Sequence, residues 1–165
     1  MATREGPAWM DEAKESQRAQ GSDPGYIFSE QVGFLLRRAY QRHLAIFQAN
    51  SCDDQLTSVQ FSTLCALRDA GPQSQGELVK ATGVDQATIR GIIERLKARG
   101  LVALSKDSDD GRKVIVSLTS DGSDLLEKMI PHAREITEQT FGALNPAERT
   151  ALLFTLQRML EDTQN

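Results

Sequence analysis

The chain has 165 residues, of which 39% are hydrophobic, 25% are charged and only 5% are aromatic, and it carries a net charge of −4. This composition is ordinary for a globular domain with extensions, and the scarcity of aromatic residues favours packed helices over a β-sandwich. No apolar run is long enough to cross a membrane, no secretory signal is evident, and two cysteines make no disulfide framework, so we expect a cytoplasmic protein.

The N-terminal residues 1–27 are rich in glycine, proline, serine and charge. We expect an arm that either moves freely or docks on a partner subunit, and Gly21 would end a short helix from about Ala8 to Ala19. A long helix is predicted next, from Phe28 to Asn50, because apolar residues recur there at helical spacing.

Two capping boxes predict the next two helices. Thr57 with Gln60 starts a helix that stops at Gly71, and Ser74 with Glu77 starts a short second helix. In each box the first side chain accepts a hydrogen bond from a backbone N–H that the helix leaves unpaired. The second side chain accepts one from the backbone N–H of the first residue.

A third helix follows a tight turn at Gly83. Asp85 caps its start, and Gly100 follows its end near Arg99. Its inward face carries Ile89, Ile92, Ile93 and Leu96. Two helices joined by a tight glycine turn indicate a helix-turn-helix unit.

The segments Leu101–Lys106 and Lys113–Leu118 are rich in branched residues and predict a two-stranded hairpin, the wing, with Asp107–Arg112 as its turn. Thr119 then caps a helix that is expected to run to about Leu144. The sequence Asn145-Pro-Ala-Glu148 opens a last helix through Leu160.

The predicted fold class is therefore mainly α with a small β-hairpin, a winged helix-turn-helix at residues 57–118. The flanking helices, in residues 28–56 and 119–165, are too apolar to be covered by one small winged unit. We expect them to form a dimerisation lobe with a second copy of the chain.

The polar face of the third helix suits the reading of DNA bases, because glutamine can pair with an adenine edge and arginine with a guanine edge. The segment Gly83–Lys113 also carries a net charge of +2, whereas the rest of the chain carries −6, and a basic segment suits phosphate contact. The candidate DNA-binding residues are Ser74, Gln75, Gln86, Ala87, Thr88, Arg90, Arg95, Lys106, Asp110, Arg112 and Lys113. The alternatives are an ordinary amphipathic helix with a solvated face and a solvated charged loop.

The stretch Gly100–Gly122 resembles the multiple antibiotic resistance regulator (MarR) family. Its Asp-x-Arg at Asp110–Arg112 and its Leu118-Thr119 followed by Gly122 match the family's wing signature, and the resemblance covers about residues 28–160. It implies a homodimeric repressor that reads a palindromic, double-stranded operator, with Asp110 orienting Arg112. Gly91, in the third helix, departs from the family's common pattern. A glycine there lowers the stability of the helix but permits close approach to DNA.

The resemblance also implies a small phenolic or aromatic acid effector. The first long helix carries Arg37, Arg38, Tyr40, Gln41 and His43, which suit a planar carboxylate ligand. It is similar in this respect to a subgroup that senses products of aromatic catabolism, in which an arginine and a histidine six positions later, here Arg37 and His43, flank the pocket. The alternative is that His43 is a core histidine and the arginines are solvated.

Other functions find less support in the sequence. No cluster of cysteine and histidine has metal spacing, and no nucleophile elbow, phosphate-binding glycine loop or carboxylate pair indicates an enzyme or a cofactor. Two alternatives remain: a winged-helix module that binds protein rather than DNA, and a redox-sensing regulator that uses Cys52. The second lacks a cation beside the thiol, since Asp53 and Asp54 follow it.

Overall fold

The computed structural model describes residues 25–107, 110 and 113–161. The helix predicted at Ala8–Ala19 and the side chain of Arg112 lie outside these residues. Two compact units are distinguished, Met1–Leu44 and Ala45–Asn165. None of the helices in the described part of the chain combines the length and the apolar character that crossing a bilayer requires.

The first long helix begins later than predicted. A short 3₁₀ turn, Phe28–Glu30, is followed by an extended Gln31, and helix α1 spans Val32–Asn50. The helix is interrupted because Gln31 adopts ψ 138° and turns its side chain back, donating from Nε2 to Ile27 O at 2.8 Å. The helix therefore begins four residues after the expected start near Phe28.

The two capping boxes are confirmed. Helix α2 spans Ser58–Ala70 and is capped reciprocally by Thr57 and Gln60. Strand β1, Gln73–Ser74, leads into helix α3, Gln75–Thr82, whose cap is the Ser74–Glu77 box. Gly83 ends α3 in the left-handed conformation with φ 68°, which favours glycine.

Helix α4 spans Gln86–Ala98 and is the third predicted helix. Asp85 Oδ1 accepts from the backbone N–H groups of Ala87 and Thr88, both at 3.0 Å, so the predicted cap is confirmed. The four residues predicted to face inward are all buried: Ile89, Ile92, Ile93 and Leu96.

The wing has one strand more than predicted. Strands β2, Val102–Lys106, and β3, Val114–Leu118, form the expected antiparallel hairpin. The short β1 pairs with the other edge of β3, with Gln73 opposite Val116, giving the order β1-β3-β2. The expectation of two strands missed β1 because its two residues carry no periodic signal before the α3 cap.

Helix α5 spans Ser120–Phe141 and starts against the wing. Thr119 caps it, accepting from Gly122 N–H at 3.1 Å. An added Cβ at Gly122 would lie 2.2 Å from Leu101 O, so only glycine fits this corner. The helix ends three residues before the predicted Leu144, because Gly142 turns the backbone at φ 58°.

Helix α6 spans Pro146–Glu161 and begins with the predicted cap, in which Asn145 and Glu148 exchange hydrogen bonds of 2.8 and 3.1 Å. No described residue of α6 is buried. The hydrophobic core lies instead among the C-terminal end of α1, which contributes Phe47, helices α2–α5 and the sheet. Its fully buried members include Leu56, Leu64, Leu67, Leu78, Ile89, Leu96, Val116, Leu126 and Met129.

Candidate DNA interface and effector site

Helix α4 presents the predicted reading residues to solvent. Gln86, Ala87, Thr88 and Arg90 are all exposed at its N-terminal end, opposite the buried isoleucines. The Thr88 hydroxyl donates to Asp85 Oδ2 at 2.5 Å, which holds the pKa of Asp85 below its usual value together with the backbone bonds of the cap. The Thr88 hydroxyl proton is used in the hydrogen bond to Asp85, whereas the Thr88 methyl group remains available for apolar contact.

Gly91 is half-buried and lies one turn after Ala87 on the same side of α4. Arg95 folds back over it, so that its Nη1 would be 3.5 Å from an added Cβ. The surface that could meet a base edge here is thus made of two small residues, flanked by Arg90 and Arg95.

The start of α3 is joined to the start of α4. Gln75 Nε2 donates to Gln86 O at 3.4 Å, which links the two helices of the helix-turn-helix. The Ser74 hydroxyl is engaged in the helix cap, where it donates to Glu77 Oε2 at 2.7 Å. This bond lowers the pKa of Glu77. A shallow cavity of about 230 Å³ separates α4 from the wing and is lined by Gln75, Arg90, Ile93, Glu94, Leu104, Val114 and Val116.

In the wing, Lys106 and Lys113 are exposed at the turn-proximal ends of β2 and β3. Two hydrogen bonds join the described residues of the turn: Asp110 N–H donates to Asp107 Oδ1 at 3.0 Å, and Lys113 N–H donates to the carbonyl oxygen of Asp110 at 2.8 Å. Lys106 pairs with Val114 in the hairpin, and Asp107 N–H donates to Lys113 O at 3.0 Å, so both lysines lie at one end of the hairpin. The predicted pairing of Asp110 with Arg112 stays a prediction, since Arg112 is outside the described residues.

The structure divides the predicted effector cluster on α1. Tyr40 and His43 stack, with ring centroids 6.3 Å apart and an angle of 23° between the planes. His43 is half-buried, and burial lowers its pKa, so the imidazole is neutral near pH 7. Arg37 is exposed and lies about 120° around the helix from His43.

The other predicted members, Arg38 and Gln41, line a cavity of about 570 Å³. Leu35, Ala39 and Arg42 are also among its described lining residues. This volume is within the range of small-molecule sites, and two guanidinium groups beside apolar side chains suit an aromatic carboxylate. Sequence reasoning missed Arg42, although its spacing of four from Arg38 places both on one helix face.

A second feature that the sequence did not reveal is an ion pair between Arg99 and Asp53. Arg99 follows α4 directly, and Asp53 lies in the loop after α1, 46 residues earlier. No local pattern joins residues so far apart. The neighbouring Cys52 is exposed, and its sulfur lies 3.7 Å from Met129 Sδ.

Known proteins resemble this chain in both sequence and structure. Residues 56–114 match the MarR family. The chain is 64% identical over 140 residues to the HTH-type transcriptional repressor NicR of Pseudomonas putida, covering 85% of this chain and 89% of that one.

Two solved structures extend the comparison. One concerns the regulation of DNA binding of Bordetella bronchiseptica BpsR by 6-hydroxynicotinic acid; it has a TM-score of 0.78 and 59% identity, covering 82% of this chain and 98% of that one. The other is a MarR mutant from Escherichia coli complexed with operator DNA, with a TM-score of 0.75 and 25% identity, covering 84% and 99%. The fold, the matched helix-turn-helix region and the similarity to NicR over most of both chains show that this chain is a transcriptional regulator of the MarR family.

Proposed function

We propose that this chain is a homodimeric repressor that binds a palindromic operator and releases it when a small aromatic acid binds. The observation that carries the proposal is the exposed N-terminal face of α4, where Gln86, Ala87 and Arg90 stand over a fully buried apolar face. The Asp85 cap and the buried apolar face hold α4 in place. Its reading side chains therefore have a fixed orientation before the helix meets DNA.

In this proposal residues 57–118 read the DNA. Arg90 and Gln86 contact base edges in the major groove, and Lys106 and Lys113, with Arg112, contact phosphates or the minor groove beside it. The operator complex of the Escherichia coli MarR mutant supports this assignment.

The test is a titration of the protein with the DNA upstream of its own gene at several salt concentrations. Arg90→Ala should cost about 1–3 kcal/mol of operator affinity and relax the preference at one base pair. Arg134→Ala removes the same charge from an exposed position of α5 and serves as the matched control. Operator affinity that is insensitive both to salt and to Arg90→Ala would refute DNA reading by α4.

We assign residues 28–56 and 119–165 to the dimer. Large apolar side chains of α6 are exposed in the single chain, with Leu153 at 50%, Phe154 at 58% and Leu160 at 69%. Side chains of this size are costly to leave in water, and a second copy of the same helix pair would cover them. Sedimentation should give twice the mass of the chain, and Phe154→Glu should shift it towards the monomer.

The effector site in this proposal is the cavity beside Arg38, Gln41 and Arg42. A carboxylate can accept from a guanidinium in a bidentate manner, and the apolar stems of Leu35 and Ala39 suit the ring. The regulation of BpsR by 6-hydroxynicotinic acid supports a hydroxylated pyridine or benzene carboxylate as the ligand.

Calorimetry with 6-hydroxynicotinic acid distinguishes this cavity from the Arg37–His43 pair. Arg38→Ala should weaken binding at least tenfold, whereas Arg37→Ala should leave it within twofold. The reverse order would move the site to the face that carries Tyr40 and His43.

The alternative of a winged-helix module that binds only protein finds no support in the matched relatives, which are named as transcriptional regulators. Redox sensing by Cys52 is likewise without a supporting observation, since the thiol lies beside Met129 and the adjacent Asp53 is paired with Arg99.

A further inference from the structure

The Asp53–Arg99 ion pair joins the end of α4 to the loop that follows α1. Arg99 Nη2 donates to Asp53 Oδ2, and the two side chains retain only 25% and 20% of their exposure. Among the described residues, Arg99 Nη1 is buried without a hydrogen-bond partner. The guanidinium therefore depends on Asp53, because a largely buried cation without its counter-charge is strongly destabilised.

Asp53 is itself held in place by its own loop. Its Oδ1 accepts from Gln55 N–H at 2.9 Å, and its carbonyl oxygen accepts from Leu56 N–H at 3.1 Å. Its backbone also exchanges hydrogen bonds with Ser51 Oγ at 2.8 and 3.2 Å. The carboxylate consequently has a fixed position to which Arg99 is drawn, rather than following the arginine.

The start of this loop is anchored to α5. Asn50, the last residue of α1, exchanges side-chain hydrogen bonds with Gln139 at 3.1 and 3.2 Å, and its carbonyl oxygen lies 3.0 Å from His132 Nδ1. Ser51 Oγ lies 3.7 Å from Met129 Sδ. The end of α1, the loop and the C-terminal end of α4 are thus connected through a continuous set of polar contacts.

We propose that Asp53 is a positioning residue for DNA recognition: through Arg99 it fixes the C-terminal end of α4, and with it the angle at which Gln86 and Arg90 meet the operator. This inference rests on the proposed operator binding and adds to it a residue that does not touch DNA. Because the loop follows Asn50 directly, the pair also joins the C-terminal end of α1 to the recognition helix.

Simple electrostatics predicts the opposite sign for the loss of Asp53. Neutralising an acid near a DNA-binding helix removes a charge that repels phosphates, so operator affinity should stay equal or rise. A positioning role predicts that operator affinity falls although the protein becomes less acidic. The sign of the change in operator affinity therefore distinguishes a positioning role from a simple electrostatic effect.

The test uses the full-length protein and its variants Asp53→Asn, Arg99→Gln and the two combined, titrated at fixed salt with operator DNA and with unrelated DNA. We expect Asp53→Asn to weaken operator binding about two- to thirtyfold, the range found for residues that act through a connected network. Binding to unrelated DNA should be unchanged or tighter. Adding Asp53→Asn to Arg99→Gln should have no further effect, since the two residues act as one unit.

The matched control is Asp69→Asn, which breaks the exposed Arg68–Asp69 pair of 2.7 Å, whose side chains are 41% and 63% exposed. It should leave both DNA affinities unchanged. Thermal unfolding establishes that each variant is folded. If Asp53→Asn does not fold, Arg99→Lys, which keeps the charge but loses the planar fork, should show the same selective loss of operator affinity.

Equal or tighter operator binding by folded Asp53→Asn would overturn the positioning role and leave the proposed function intact. Additive losses in the double variant would also overturn it, because they would mean that the residues act separately. If the wild-type protein does not prefer its operator to unrelated DNA, the proposed function fails, and the positioning role fails with it.

Discussion

Replacing Gly91 with alanine should stabilise the free protein and, at the same time, weaken its binding to operator DNA. Gly91 is in the middle of α4, where glycine costs about 1 kcal/mol relative to alanine. The nearest atoms to an added Cβ belong to the flexible end of Arg95, at 3.5, 3.7 and 3.9 Å, which are ordinary van der Waals distances. The free protein therefore accommodates the methyl group without strain.

The stabilisation by Gly91→Ala should be measurable as a shift in melting temperature. For a chain of this size, 1 kcal/mol raises the melting temperature by about 2–4 °C. The expected loss of operator affinity follows from the position of Gly91 one turn after Ala87, on the side of α4 that carries the reading residues. A methyl group forced into a filled interface costs about 1–3 kcal/mol, or about fivefold or more in the dissociation constant.

Thermal unfolding and an operator titration on the same preparation measure both effects. Gly33→Ala is the control, because it adds the same methyl group to a helical glycine of α1 that has nothing within 4 Å of the added Cβ. It should leave operator affinity unchanged. If Gly91→Ala raises the melting temperature and binds the operator as tightly as wild type, the small residues of α4 do not approach the bases, and the placement of this face in the groove is wrong.

Three further outcomes follow from the structure. Gly122→Ala should destabilise the protein by about 1–3 kcal/mol in chemical denaturation, because its Cβ would collide with the backbone oxygen of Leu101, and an unchanged midpoint would contradict that contact. The pKa of Asp85 is lowered on folding, so its charge stabilises the protein above the ordinary value of 3.8, and this contribution is lost as the pH falls through the lower folded value. The difference in melting temperature between wild type and Asp85→Asn should therefore disappear in strong acid. Burial also lowers the pKa of His43, so melting temperature should fall as the pH drops below the ordinary value of 6.5, and His43→Gln should flatten that dependence; an identical pH profile would show that the imidazole is not desolvated.

Features that depend on residues close in the chain could be predicted from the sequence. The caps at Thr57, Ser74 and Asp85 were all identified, because each is a side chain that bonds to a backbone N–H two or three residues away. The buried face of α4 was also predicted correctly, since a spacing of three and four residues defines one side of a helix.

Features that depend on tertiary contacts could not be predicted. The Asp53–Arg99 pair joins a loop to a helix end, and neither residue stands out from its neighbours in charge or spacing. Strand β1 consists of two residues that pair with β3 over a separation of more than 40 residues, and no periodicity can show in so short a segment. The placement of Arg37 and His43 on different sides of one helix, by contrast, follows from their six-residue spacing alone.

The apolar helices show a further limit of sequence patterns. Both α4 and α6 carry leucine and isoleucine or methionine at helical spacing, but Ile89 and Leu96 of α4 are fully buried, while Leu153 and Leu160 of α6 are at least half exposed. Periodicity identifies which face of a helix is apolar and says nothing of what covers it. In α4 the cover is the chain's own α2, α3 and sheet, so the reading unit has a complete core within one chain. In the proposed dimer the cover of α6 comes from the second copy, and the stability of that half should therefore rise with protein concentration, as it does for any assembly coupled to folding.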